Sequence, residues 1–204
     1  MRVRPFGKHS LLLECADASQ VEAWRAELWR RRAAGELAAL EIVPAARTVL
    51  LDGVPDPAAT AELIASWVPQ PVTSGGDGVE VEIPTRYDGE DLPDVAALWG
   101  VTVSEAVERL SAVEFRVAFC GFAPGFAYLT GLPDAWAVPR LASPRPKVPA
   151  GSVALAGAYL GIYPTASPGG WRLVGRTELP LFDVHDDPPA RLVPGARVRL
   201  VREP

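Results

Sequence analysis

Hydrophobic and polar positions alternate in short runs along the first third of the chain. Arg2-Val3-Arg4 and the apolar run Leu11 to Cys15 read as two strands around a turn at Gly7-Lys8-His9. Asp17, Ala18 and Ser19 offer N-cap chemistry, and Val21, Trp24 and Leu28 then recur at helical spacing. Arg30, Arg31 and Arg32 suit the dipole of a last turn, with Gly35 standing where a helix ends, so the pattern predicts a helix to about residue 32. Leu40 to Val43 and Thr48 to Leu51 read as strands around Pro44-Ala45-Ala46. Asp56-Pro57 opens a second helix running to about Trp67. Val79 to Ile83 alternates as a strand does.

Strand pairs interleaved with helices predict a small α/β domain of split βαβ type, over residues 1–84. Ser74 to Gly78 reads as a flexible connection and Pro84 to Gly89 as the seam. Leu92 to Leu98 and Ser104 to Leu110 are short helices parted by Gly100, the second capped by Thr102 or Ser104 with Glu105 in its first turn. From Glu114 the pattern is all-β: Phe115 to Phe119, Leu181 to Val184, Ala196 to Val201, and between them a long stretch dense in glycine and proline. Short apolar pieces (Val153 to Ala156, Leu160 to Tyr163, Trp171 to Val174) punctuate that stretch, as strands joined by stiff loops would. The expected fold is α+β, with a barrel or sandwich over residues 85–204.

At 204 residues and 49% hydrophobic content the chain can bury a core without staples. A net charge of −5 argues against a nucleic-acid surface. No apolar run approaches the ~18 residues of a membrane span, and Met1-Arg2-Val3-Arg4-Pro5 does not open a signal peptide, which together predict a cytoplasmic protein. Cys15 and Cys120 read as reduced, buried thiols, although spacing leaves a disulfide open. Gly7-Lys8-His9-Ser10 lacks the upstream glycine of a phosphate loop, no Gly-x-Ser-x-Gly elbow occurs, and His9 and His185 have no metal-ligand spacing. No metal site and no catalytic set is therefore expected.

The cations Arg140, Arg145, Lys147 and Arg176 lie in or beside the proline-stiffened loops, where a guanidinium fork is suited to carboxylate or phosphate. Gly151-Ser152 and Ser167-Pro168-Gly169-Gly170 could add backbone N–H groups and hydroxyls. Spacing alone favours the plainer alternative of a solvated rim or ion pairs with Asp134, Asp183 and Glu178. Phe122, Phe126, Tyr128, Tyr163 and Trp171 are, taken singly, core residues more often than stacking platforms. Trp24 and Trp67 fall on helical faces that point to a core, whereas Trp99, Trp136 and Trp171 are candidates for a cleft or interface.

Five motifs taken together are more specific: Phe122-Ala123-Pro124-Gly125-Phe126-Ala127-Tyr128-Leu129, Val148-Pro149-Ala150-Gly151-Ser152-Val153, Gly161-Ile162-Tyr163-Pro164, Ser167-Pro168-Gly169-Gly170-Trp171 and Gly175-Arg176-Thr177. On these the chain resembles the B-subunit family of 5-oxoprolinases, earlier labelled allophanate hydrolase subunit 1, which includes an inhibitor of a sporulation histidine kinase. The resemblance implies a C-terminal cyclophilin-like barrel and a part in ATP-dependent opening of 5-oxoproline to glutamate, with a C-type cyclophilin-like subunit and an A subunit as partners. The expected substrate-binding set, drawn from these motifs and the loop cations for a carboxylate or phosphoryl group, is Phe122, Pro124, Arg145, Lys147, Ser152, Tyr163, Ser167, Gly169, Gly170 and Arg176. The resemblance leaves the catalytic residues and the nucleotide-binding subunit unassigned. A kinase-inhibiting binding protein and an allophanate- or urea-degrading subunit are the alternatives. Three positions depart from the family pattern: Leu110 for a histidine, Leu160 for a threonine, and Lys8 for an acidic residue.

Overall fold

A computed structural model describes residues 1–70 and 79–203. The chain divides into two compact units, Met1–Asp77 and Gly78–Pro204. The expected connection at Ser74 to Gly78 lies outside the described residues.

The first unit holds strands β1 (Arg2–Pro5), β2 (Leu11–Glu14), β3 (Glu41–Pro44) and β4 (Thr48–Asp52), with helices α1 (Ala18–Ala33) and α2 (Pro57–Ala65). Its sheet has the order β1-β2-β4-β3, every neighbour antiparallel. β2 and β3 therefore run parallel on either side of β4, and α1 joins them, which is the split βαβ arrangement. Alternate residues Leu11, Leu13, Ile42, Val49 and Leu51 turn to one face and pack with Trp24, Leu28, Ile64 and Trp67. The helix ends follow local chemistry. Asp17 and Asp56 accept the N-terminal N–H groups of Gln20 and Ala59, and Gly35 ends α1 at φ 75°.

The second unit is a curled seven-stranded sheet with the order β12-β9-β10-β7-β6-β13-β5. Its strands are β5 (Glu80–Thr85), β6 (Phe115–Cys120), β7 (Ala127–Thr130), β9 (Ser152–Ala156), β10 (Tyr159–Ile162), β12 (Arg172–Arg176) and β13 (Arg197–Arg202). A two-stranded ribbon, β8 (Arg145–Val148) with β11 (Ser167–Gly169), lies apart from that sheet. Helices α3 (Leu92–Leu98) and α4 (Val103–Ala112) complete the unit, α4 carrying a full capping box between Thr102 and Glu105. The open edges meet just past β5. Arg86 and Arg176 exchange both backbone hydrogen bonds at 2.9 Å, so the sheet is nearly closed into a barrel.

Two expectations are displaced. β5 pairs in parallel with β13 over six residues, so it belongs to the barrel and the seam lies before it, not at Pro84 to Gly89. Leu181 to Val184 forms no strand. Pro180 stands immediately before the segment and Pro188 and Pro189 soon after it, and a single bridge joins Phe182 to Ala190.

Strand alternation sorts the barrel residues onto two cores. Val153, Leu155, Leu160, Ile162, Leu129 and Val174 point into the barrel with Phe115, Ile83 and Leu110. Ala154, Ala156, Tyr128 and Leu173 point outward beneath a second cluster of Phe126, Tyr163, Trp171 and Val148. This explains why β9 is buried along its whole length, with branched residues on the inner face and alanines under the aromatic cover. Leu110 is a fully buried member of the inner core.

Candidate functional site

The aromatic cluster on the outer face of the barrel ends in a cleft of about 250 Å³, lined by Phe122, Phe126, Tyr128, Arg140, Pro144, Tyr163, Pro168, Gly169, Gly170 and Trp171. Its floor is a set of edge-to-face rings. Phe126 lies 5.3 Å from Tyr163 and 5.6 Å from Trp171, each near perpendicular. Two glycines make this packing fit. A Cβ on Gly161 would stand 2.8 Å from Phe126 and 2.9 Å from Trp171, and one on Gly169 would strike the Tyr163 hydroxyl. Burial raises the pKa of the Tyr163 phenol, so at neutral pH it is an O–H group rather than an anion.

One wall is the loop joining β6 to β7. Gly121 N–H donates to Phe126 O at 3.1 Å, Phe126 N–H to Ala123 O at 3.0 Å, and Ala123 N–H to Gly121 O at 2.8 Å. The last bond closes a three-residue γ-turn on Phe122, whose φ is +70°. Facing it is the segment around Arg140. Arg172 Nε donates to Pro139 O at 3.0 Å and Leu141 N–H donates to Gly170 O at 2.8 Å, so the backbone is held on both sides of Arg140. The Arg140 guanidinium sits 6.0 Å from the Trp171 ring centroid, and no carboxylate pairs with it among the described residues.

The structure gathers Phe122, Tyr163, Gly169 and Gly170 of the expected set into this cleft and takes others elsewhere. Arg145 is an ion-pair partner: its Nε contacts Glu90 at 2.6 Å and its Nη2 donates to Asp91 Oδ1 at 2.8 Å. Arg176 pairs with Asp88 at 2.9 Å. Both pairings are ionic, as spacing favoured, but the carboxylates belong to the 88–91 turn rather than to Asp134, Asp183 or Glu178. Ser152 is buried with its hydroxyl donating to Pro149 O, and the Ser167 hydroxyl donates to Thr165 O. Lys147 is exposed on the ribbon, and Pro124 lies in the Phe122 loop without lining the cleft.

Arg140, Phe126, Tyr128 and Trp171 line the cleft although the expected set omitted them. Trp171 was legible as a cleft candidate, and Arg140 as a loop cation. Pro144 carries no signal of its own in the sequence, and Pro168 is marked only as part of the Ser167 to Trp171 motif. The Trp99 and Trp136 rings lie tilted against each other with centroids 5.4 Å apart, and Trp99 Nε1–H donates to Trp136 O. Cys120 is held as a thiol rather than a thiolate: partial burial pushes its pKa up to about 11, and its Sγ–H faces Leu192 O at 3.4 Å. Among the described residues no three His, Cys, Asp or Glu side chains are grouped to hold a metal ion, and no helix is long and apolar enough to cross a membrane.

The model of the carboxyltransferase domain, subdomain C and D, matches residues 1–192. The 5-oxoprolinase B subunit of Escherichia coli O157:H7 is 50% identical over 124 residues, which cover 59% of this chain and 57% of that protein. The chain thus spans little more than half the length of that relative. Among solved structures, TTHA0988 superposes with a TM-score of 0.77 at 37% identity, covering 100% of this chain and 40% of that one. Kluyveromyces lactis urea carboxylase, at 19% identity and a TM-score of 0.71, covers 99% of this chain and 22% of its own, and shares the fold alone. The barrel is cyclophilin-like. This chain belongs to the carboxyltransferase domain family, subdomain C and D, and its likeness within that family is to the B subunits of 5-oxoprolinases.

Proposed function

We propose that the chain is the B-type subunit of an ATP-dependent 5-oxoprolinase and that its aromatic cleft binds 5-oxoproline. The observation that carries the reading is the 50% identity to a protein of that name. The cleft supports it with a small apolar floor, an arginine that no carboxylate pairs with among the described residues, and a neutral phenol. A lactam carbonyl is a weak electrophile, so ring opening needs activation. Transfer of the ATP γ-phosphoryl group to the lactam oxygen would release ADP, and hydrolysis of the activated lactam would then give glutamate and phosphate. This chain's part is to hold the ring and its carboxylate while a C-type cyclophilin-like subunit and an A subunit complete the site and supply the nucleotide. Free Cys15 and Cys120 fit a reducing cytoplasm for that complex.

The test is reconstitution of the three subunits with ATP. 5-Oxoproline should stimulate phosphate release and yield glutamate only when this chain is present. Equal turnover by the other two subunits, or by this chain unaided, refutes the assignment.

A further inference from the structure

We propose that Phe122 and Arg140 are the specificity-determining pair of the cleft, selecting a small carboxylate carried on a compact five-membered ring. This rests on the reading above that the cleft is the ligand site.

Phe122 is the one non-glycine residue at positive φ among the described residues, at +70°. A γ-turn of that hand is uncommon and strained, because the Cβ crowds its own backbone. Strain of this kind persists where the surroundings require it, and packing does not require it here: Phe122 is 62% exposed. Its ring only edges Phe126 at 5.2 Å and Tyr163 at 6.3 Å. Glycine would adopt the turn without cost. What the turn achieves is to stand a large apolar face over the mouth of the cleft.

Arg140 supplies the opposite chemistry. Its backbone is held through Pro139 O and Leu141 N–H, and its guanidinium is directed onto the Trp171 ring rather than to a carboxylate. An exposed guanidinium on a held backbone, with no carboxylate paired to it among the described residues, is suited to a carboxylate from outside. Gly169 and Gly170 leave the wall beside it free of side chains. The volume of about 250 Å³ lies below the ~300–1,000 Å³ of drug-sized ligand sites, which suits a small ring acid rather than a nucleotide.

The experiment is an NMR titration of the full chain with 5-oxoproline, cyclopentanecarboxylate and 2-pyrrolidinone, repeated on Phe122→Gly, Phe122→Ala and Arg140→Ala, with the Tm of each variant. Wild type should bind both acids, and the uncharged lactam at least about tenfold more weakly. All three variants should weaken acid binding by about tenfold or more. Because Gly and Ala both remove the ring and differ at positive φ, Phe122→Gly should melt about 2–4 °C above Phe122→Ala. A glycine variant no more stable than the alanine one overturns the strain argument. Unchanged affinity in either the Phe122 or the Arg140 variants, equal binding of 2-pyrrolidinone, or a wild type that takes neither acid overturns the pair. Binding of cyclopentanecarboxylate without 5-oxoproline leaves the pair standing and refutes the 5-oxoproline reading alone.

Discussion

Removing the Asp91 carboxylate should loosen the cleft by freeing strand β12, which directly follows Trp171. Asp91 is buried, and both of its oxygens are used: Oδ1 accepts from Arg145 Nη2 at 2.8 Å and Oδ2 from Leu173 N–H at 2.7 Å. Its own N–H donates to Leu173 O at 3.0 Å. One carboxylate therefore ties the start of α3, strand β12 and the ribbon strand β8 together. In Asp91→Ala the charge-assisted bond to Arg145 is lost, and the Leu173 N–H is left buried without an acceptor. Those two effects, at about 1.5–3 and 1–3 kcal/mol, are partly offset because Arg145 keeps Glu90, so about 3 kcal/mol is expected. Arg145→Ala should cost less, about 1–2 kcal/mol, since Asp91 still accepts from Leu173 and water can reach the vacated oxygen.

Urea unfolding followed by near-UV circular dichroism measures both losses, and hydrogen exchange at the Leu173 amide locates them. The expected order is Asp91→Ala well below Arg145→Ala, with Asp91→Asn between Asp91→Ala and wild type because an amide oxygen can still accept one bond. The Leu173 amide should exchange faster in Asp91→Ala and hardly change in Arg145→Ala. If Asp91→Ala stays within about 0.5 kcal/mol of wild type, or if the Leu173 amide stays protected, the carboxylate does not hold the strand and the reasoning fails.

Three further outcomes follow from packing and titration. Gly161→Ala should destabilise the second unit by about 1–3 kcal/mol in urea, because the new methyl would press on Phe126 and Trp171; a neutral effect would mean the rings move aside freely. Glu27, held by Arg30 and Arg31, has its pKa lowered from 4.5 to about 2, so its contribution is present above pH 4.5 and is lost as pH falls towards 2. The ceiling from that shift is roughly 3 kcal/mol, which the solvent around Arg30 cuts to about 1; Glu27→Gln should flatten stability over that pH range, and a variant as acid-sensitive as wild type refutes the assignment. Cys120 should react with a thiol reagent at pH 8 at least about 100-fold more slowly in the folded chain than in urea, and equal rates would contradict its burial.

What could be read from the sequence was what neighbours in the chain decide. Asp17, Asp56 and the Thr102–Glu105 capping box place helix starts within a turn, and Gly35 stops α1 by its own backbone freedom. Strand β5 reads correctly as a strand, yet its membership depends on a parallel partner, β13, far along the chain, which alternation cannot name. The cleft follows the same division. Phe122, Tyr163, Gly169 and Gly170 are picked out by their motifs and do come together. The cations were harder, because Arg140, Arg145 and Arg176 are the same residue type in the same kind of loop. Their difference lies in Asp88, Glu90 and Asp91, which the fold brings to Arg176 and Arg145 but not to Arg140. A cation is available to a ligand only where no carboxylate has reached it first, and here that is decided by the closure of the barrel at Arg86 and Arg176, which carries the 88–91 turn across to β12.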